Sequence, residues 1–239
     1  MRVALAQMDV CQGSKKDNLR KVDAFLRQAA EGNSDIACFP EYFTTGYSRP
    51  LSEFAEFIPG PTTKTLQAQA SRRQVSIAGS MLETDGNRLY NAGFLITPNG
   101  LVLTHRKVHL YGKEKRALSG GTRFQTPGAF WERLGLMVCY DMAFSEPARQ
   151  WTHQGAKVIF VPSNWMRPFA KEWNSASRSR ARENHVWIVA VNRVGSDDEH
   201  DYFGRSRIID PSGRIVAECT QQEELRIVDV NLTPSRPES

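Results

Sequence analysis

Three residues able to do chemistry stand at the ends of apolar runs: Glu41 after IACFP, Lys107 after LVLTHR, and Cys139 within LGLMVCYDMAFSEPAR. A thiol becomes a nucleophile when a base takes its proton and a donor stabilises the oxyanion formed by its attack. A carboxylate and an ammonium can supply both without a histidine. Cys139 stands where a buried strand is predicted to turn into a helix opened by Ser145, Glu146 and Pro147. Backbone N–H groups at such a turn can hold an oxyanion, and a nearby helix N-terminus favours thiolate. Each residue also has a plain alternative. Cys139 could be a packed core thiol, Glu41 a cap for the turn at Thr44 and Thr45, and Lys107 one cation of a solvated patch with His105, Arg106 and His109. The histidines leave a Cys/His arrangement open, although none of the five has a local signature beside Cys139.

The elements that must position these groups can be read in order. Residues 3–8 read as a strand, and 14–30 carry Leu19, Val22, Phe25, Leu26 and Ala29 at helical spacing until Gly32 and Asn33 stop them. Residues 36–39 are a short strand ending at Pro40, which completes a β-α-β unit with Glu41 at its exit. A helix starting at Pro61 and Thr62 runs to Arg72. The strands VSIAGSML, NRLYNAGFLIT and LVLTHRK follow, the last two joined by a hairpin turn at Asn99 and Gly100. Residues 108–127 lose periodicity and read as a functional loop punctuated by Gly112, Gly120, Gly121 and, just beyond, Gly128. A strand over 134–138, a helix over 145–154 and a strand over 157–161 ending at Pro162 form a second β-α-β unit. Its exit, VIFVPSNW, weakly repeats IACFPEYF of the first, with Ser163 in the place of Glu41. A helix over 169–185 and a strand over 187–192 come next. Residues 195–204 read as an acidic mobile loop, SRIIDPSGRIVAEC as a hairpin turning across 210–213, and LRIVDVNL as the last strand. The order implies helices layered over a mixed sheet or over two stacked sheets.

Composition excludes several classes. At 239 residues, a single domain over 1–239 is predicted, and 40% hydrophobic with 24% charged residues is ordinary for a water-soluble fold. No apolar run reaches the roughly 20 residues that span a bilayer, and MRVALAQMDV is too short and polar for a secretory leader. Cys11, Cys38, Cys139 and Cys219 lie far apart, with neither metal-ligand spacing nor a disulfide framework, which points to a reducing cytoplasm. The net charge is +5, but 31 basic residues are interspersed with 26 acidic ones, so no nucleic-acid partner is implied. The basic run SRSRARENH reads as one face of an amphipathic helix.

Taken together, FPEYFTTGY around Glu41, HRKVHLYGKEK around Lys107 and VCYDMAFSEPAR around Cys139 resemble the nitrilase superfamily of carbon-nitrogen hydrolases. LYNAGFLITPNG, the TPG at 126–128 and RARENHVWIVAVNRVG extend the resemblance in order over nearly the whole chain. It implies an α/β fold, a four-layer α-β-β-α sandwich with two mixed sheets. It also implies Glu41 as general base, Lys107 as oxyanion stabiliser, Cys139 as nucleophile and Glu114 as a second glutamate near the lysine. The implied chemistry is attack of Cys139 on an amide carbonyl or nitrile carbon, with the charge held by Lys107 and the Tyr140 N–H. Ammonia or an amine then leaves, and water hydrolyses the thioester.

Neither metal nor cofactor is implied, and the partner is a small amide, carbamoyl amine or nitrile. Pocket candidates are Tyr47 and Tyr111 in the motif loops and Asn164, Trp165 and Arg167 after Pro162. Trp165 could instead be core, and Arg167 a surface charge or a partner for a substrate carboxylate. The resemblance implies a homodimer or higher oligomer, yet this chain stops soon after the last strand, in NLTPSRPES, where many members continue into a tail that packs on a partner subunit. An amidase is the leading expectation and a nitrilase the second. A binding domain that keeps the fold without catalysis is the alternative of another class.

Overall fold

The structure is a computed structural model that describes residues 1–122 and 133–232. Its centre is β1 (Arg2–Gln7), buried at every position after Arg2, as a strand covered on both faces must be. Helix α1 (Lys15–Glu31) buries Val22, Phe25, Leu26 and Ala29 on one face and ends at Gly32, with Asn33 turning at a positive φ of 53°. It returns the chain to β2 (Ile36–Cys38), parallel to β1. After the single turn α2 (Leu51–Phe54), α3 (Pro61–Arg73) starts with proline in its first turn and takes the Glu56 carboxylate on its Thr62 N–H at 2.7 Å. Strand β3 (Ser76–Thr84) lies parallel to β2, and β4 (Leu89–Thr97) and β5 (Gly100–Arg106) complete an antiparallel meander through the predicted hairpin turn.

The second half repeats the opening. Strand β6 (Leu134–Leu136), α5 (Ser145–His153) and β7 (Val158–Ser163) form a parallel β-α-β unit, preceded in the chain by α4 (Glu114–Ala117). Helix α6 (Ala170–Asn184) leads to β8 (Trp187–Asn192), parallel to β7. Then come β9 (Val194–Ser196), β10 (Asp201–Phe203), β11 (Arg207–Ile209), β12 (Ile215–Glu218) and β13 (Glu224–Asp229). The last strand crosses to the first sheet and pairs antiparallel with β1, from Arg2 opposite Asp229 to Gln7 opposite Glu224.

Two mixed sheets result, in the orders β13-β1-β2-β3-β4-β5 and β12-β11-β8-β7-β6. Val3, Leu5, Cys38 and Leu95 of the first share one core with Leu136, Phe160, Val161 and Val189 of the second. The opposite face of the first sheet, with Ala4, Ala6, Phe94 and Ile96, packs under Val22, Leu26, Leu66 and Ala70 of α1 and α3. Trp151 of α5 and Trp173 of α6 cover the second sheet. The layers are α-β-β-α. Gly93 of β4 marks how closely the sheets approach, since a Cβ there would come within 2.8 Å of Leu136. No helix among the described residues is long and apolar enough to cross a membrane.

Three local expectations need correction. Strand β7 runs through Pro162, opposite Val191, instead of ending there. Its other neighbour, β6, reaches only Phe160, so Pro162 occupies an edge-like position that tolerates a missing N–H. Residues 195–204 are not an open loop. They belong to the β9-β10 hairpin, which buries Tyr202 and Phe203, with the buried Arg193 guanidinium 4.5 Å from the Tyr202 ring centroid. Between β6 and α5 the chain makes a 3-10 turn (Cys139–Ala143) before the helix opens at Ser145. The TPG motif at 126–128, the last five residues of the expected glycine-punctuated loop and most of the terminal tail lie outside the described residues.

Candidate active site

The two β-α-β exits that echo each other in sequence meet in space. The Glu41 N–H reaches the Ser163 carbonyl at 3.4 Å, joining the end of β2 to the end of β7. Tyr42 then turns at φ 51°, its N–H held by Ser80 Oγ at 3.1 Å. The Tyr42 carbonyl takes the N–H groups of Thr45 and Gly46, which leaves the Glu41 carboxylate free of any capping duty.

Lys107 follows β5 directly, and its N–H continues the ladder to the Asn91 carbonyl at 2.8 Å. Its side chain points inward, so the solvated-patch alternative does not hold. The residue is 1% exposed, with Nζ 2.7 Å from Glu41 Oε1 and 2.8 Å from Glu114 Oε2. A buried ammonium left unpaired would cost several kcal/mol, roughly, and these two carboxylates remove that penalty. Glu114, at the start of α4, is buried rather than solvated. Its Oε1 accepts from Tyr42 Oη at 2.5 Å and Asn91 Nδ2 at 3.0 Å, and its Oε2 accepts from Lys107 and from the Tyr111 N–H at 2.9 Å.

Cys139 opens the 3-10 turn with φ 48°, a left-handed conformation that a β-carbon-bearing residue adopts at a cost. Its thiol lies near enough to the Glu41 carboxylate and the Asn164 N–H for both to act on its proton. The turn is held by Asp141, whose Oδ2 accepts the Val138 N–H at 3.1 Å. Its Oδ1 accepts the N–H groups of Val108 at 3.2 Å and His109 at 2.8 Å, and contacts His109 Nδ1 at 3.1 Å. His105 Nε2 lies 3.5 Å from Oδ2. One carboxylate therefore ties the segment after Lys107 to the segment after Cys139.

The electrostatics separate the two glutamates. Burial raises the Glu41 pKa, and Lys107 opposes it, but the Glu114 charge pushes the same way as burial, so the net direction is upward. Burial acts on Glu114 too, yet Lys107 and its hydrogen bonds outweigh it and hold that carboxyl below the usual range. Burial works against the charge on Lys107, but Glu114 and Glu41 raise it well above an ordinary lysine. Burial and then the Glu41 charge raise the Cys139 thiol far above its usual value. At rest the thiol is held neutral beside the Glu41 carboxyl.

These groups open on a cavity of about 1110 Å³. Glu41, Lys107, Glu114 and Cys139 line it, together with Tyr47, Tyr111, Asn164 and Arg167. Arg167 is exposed at the mouth, where its guanidinium donates to Gln221 Oε1 at 3.0 Å, and Arg49 lines the same space. Trp165 is the expected wall residue that the structure places elsewhere. It packs in the core 5.8 Å from the Trp173 ring, with its backbone N–H donating to Asn192 Oδ1. The Tyr140 ring is likewise outside the lining among the described residues and stacks edge-on with Tyr111 at 5.0 Å. Asn91 and Asp141 were missed from sequence. Their one signal was a polar residue inside an otherwise apolar stretch.

The fold and this cluster define a cysteine-bearing α-β-β-α sandwich, and comparison with known proteins gives its class. The chain belongs to the carbon-nitrogen hydrolase family, whose model matches residues 2–236. It is 33% identical over 237 residues to an (R)-stereoselective amidase of a Pseudomonas species, covering 97% of this chain and 85% of that protein. It is 32% identical over 246 residues to a human omega-amidase, covering 97% and 88%. A solved structure from Xanthomonas campestris, a CN-hydrolase superfamily protein with an arsenic adduct in its active site, matches with a TM-score of 0.87 at 29% identity, over 95% of this chain and 89% of that one. The chain is therefore an enzyme, a carbon-nitrogen hydrolase, and the non-catalytic reading falls away.

Proposed function

We propose that the whole chain acts as one amidase domain that cleaves small amides through a thioester on Cys139. The observation that carries this reading is Lys107 Nζ bridging Glu41 and Glu114 at 2.7 and 2.8 Å while Cys139 lines the same cavity wall as all three. Cys139 Sγ attacks the amide carbon as its proton passes to Glu41. The third Nζ–H of Lys107, unused by the two glutamates, and the Tyr140 N–H receive the oxyanion. Collapse breaks the C–N bond, and the amine leaves with the proton held by Glu41. Water then gives a proton to Glu41 and attacks the thioester; a second collapse releases the acid, and the proton returns to sulfur.

Glu114 cannot exchange roles with Glu41, because four donors saturate both its oxygens and its charge is needed to hold Lys107. Arg167 and Arg49 at the cavity favour an acyl group that ends in a carboxylate, since guanidinium forks match that geometry. The test is intact-protein mass spectrometry with ammonia detection over a panel of short amides, carbamoyl amines and nitriles. An acyl adduct on the wild type with amides, and no adduct or turnover in Cys139→Ala, is the expected result. Turnover that survives in Cys139→Ala would refute the mechanism, and turnover of nitriles alone would replace amidase by nitrilase.

A further inference from the structure

We infer that Asn91 is the positioning residue that sets which oxygen of Glu41 acts as base, an inference that rests on the amidase reading above. Asn91 lies in the middle of β4, fully buried, in the stretch LYNAG whose other residues suit an ordinary strand. Its single side-chain nitrogen donates to both glutamates, to Glu41 Oε1 at 2.7 Å and Glu114 Oε1 at 3.0 Å, and its carbonyl holds the Lys107 N–H. The orientation of the amide is not arbitrary. Both neighbours are carboxylates, which only accept, so the NH₂ end must face them.

That choice leaves the other end stranded. Asn91 Oδ1 is buried with no hydrogen-bond partner among the described residues. A buried orphan acceptor is unfavourable, and a strand that needed only packing would carry an apolar residue here. The two N–H bonds are what the amide is retained for. Lys107 and Asn91 both reach Oε1 of Glu41, and neither reaches Oε2. Oε1 is thus pinned as the permanently hydrogen-bonded end of the carboxylate, and Oε2 is the oxygen able to take the Cys139 proton and return it to the leaving amine. Lys107 alone could not do this, since an ammonium on a flexible stem can sit between both oxygens of one carboxylate. A planar amide fixed by its strand backbone imposes direction.

Removing the amide therefore acts in two ways. Glu41 gains a rotational freedom that lets its base oxygen drift from the thiol. Its ionised form also loses a donor, while the other groups facing it, Lys107, Glu114, Cys139, Tyr42 and Tyr202, remain. Asn91→Leu keeps the approximate volume and deletes both donors. Its kcat/KM should fall about 10- to 100-fold, as for other groups that orient a reacting residue, and its acid limb should move up by about one pH unit. Wild-type kcat/KM with an unmoved acid limb would overturn the inference.

A second measurement needs no variant. In ¹⁵N–¹H spectra of the wild-type enzyme, the Asn91 NH₂ signals, assigned by selective labelling, should shift along the same limb as Glu41 protonates. Signals that stay flat across it would refute the contact. Cys139→Ala run in parallel separates the failures: turnover retained there sinks the amidase reading, whereas a dead Cys139→Ala beside an unaltered Asn91→Leu sinks only the role of Asn91.

Discussion

Glu114→Gln tests the division of labour between the two glutamates, because it keeps the shape of the site and removes one charge. Glu114 accepts from Tyr42 and Asn91 on one oxygen and from Lys107 and Tyr111 on the other. A glutamine that keeps its carbonyl on Lys107 and Tyr111 turns its NH₂ toward Tyr42 Oη, which can rotate to accept, and toward Asn91 Nδ2, which cannot. One hydrogen bond is lost and an ammonium–carboxylate pair becomes ammonium–amide, roughly 3 kcal/mol together and so about 100-fold in kcat/KM. The pH profile should move in the opposite sense to that of Asn91→Leu. The Glu114 charge raises the Glu41 pKa. Oxygens that share Lys107 Nζ at 2.7 and 2.8 Å are no more than about 5.5 Å apart, where unit charges interact by about 3 kcal/mol at an effective dielectric of roughly 20. Partial neutralisation by Lys107 leaves about 1 to 2 pH units. The proposed mechanism needs Glu41 ionised, and losing a negative neighbour eases ionisation, so the acid limb should fall by that amount. The assay is ammonia release as kcat/KM from about pH 4 to 9, with a thermal melt to verify the fold. A limb that stays in place or rises in a folded Glu114→Gln would refute the assigned roles.

Burial pushes the Asp141 pKa up, but hydrogen bonds from His105 and His109 outweigh it and hold the carboxyl far below an ordinary aspartate. A folded pKa below the unfolded one stabilises above the unfolded value and is lost as pH falls, so Asp141→Asn should lower stability at pH 7 by about 3 kcal/mol, or about 6 to 12 °C in Tm, with the deficit shrinking below about pH 4. An unchanged Tm at pH 7, or a deficit that persists undiminished in acid, would count against it. Arg167→Ala should raise KM about fivefold for an amide bearing a carboxylate and leave a neutral amide untouched, the modest size following from the exposure of the guanidinium. An equal effect on both amides would remove Arg167 from acyl recognition.

What could be read from the sequence follows from how each residue advertises itself. Glu41, Lys107 and Cys139 end apolar runs, and a polar group at a strand exit is visible because the run before it is periodic. The β-α-β units were legible for the same reason, down to the stop at Gly32 and Asn33. Glu114 was different. In GKEK it looks like any solvated charge, and only the resemblance to a family singled it out, since its burial depends on Tyr42 arriving from 72 residues away. Asn91 and Asp141 left still less trace, for their partners come from as far as 50 and 36 residues away. Residues 195–204 were misread because acidic composition suggests solvent, whereas the buried Arg193 and Tyr202 draw that hairpin onto the cavity rim. Trp165 was a wall candidate with core packing as its alternative, and it packs against Trp173 of α6.

Two carboxylates beside one lysine would be interchangeable if only charge mattered. What separates them is the count and direction of donors. Glu114 receives four, two on each oxygen, so it has no lone pair facing the thiol and no gain from taking a proton. Glu41 receives two, both on Oε1, so it is held without being quenched. The same Lys107 and the same Asn91 serve both residues, which means that neither partner alone decides which glutamate is the base. The decision belongs to the further donors on Glu114, Tyr42 Oη and the Tyr111 N–H, and these come from the turn after β2 and the loop before α4. In the proposed mechanism, base identity is thus set by backbone placement outside the reacting trio. A thiol whose pKa is raised by burial and by Glu41 stays neutral at rest, and in the proposed mechanism its proton passes to the Glu41 oxygen left free by Lys107 and Asn91 only when a substrate carbonyl arrives to take the sulfur.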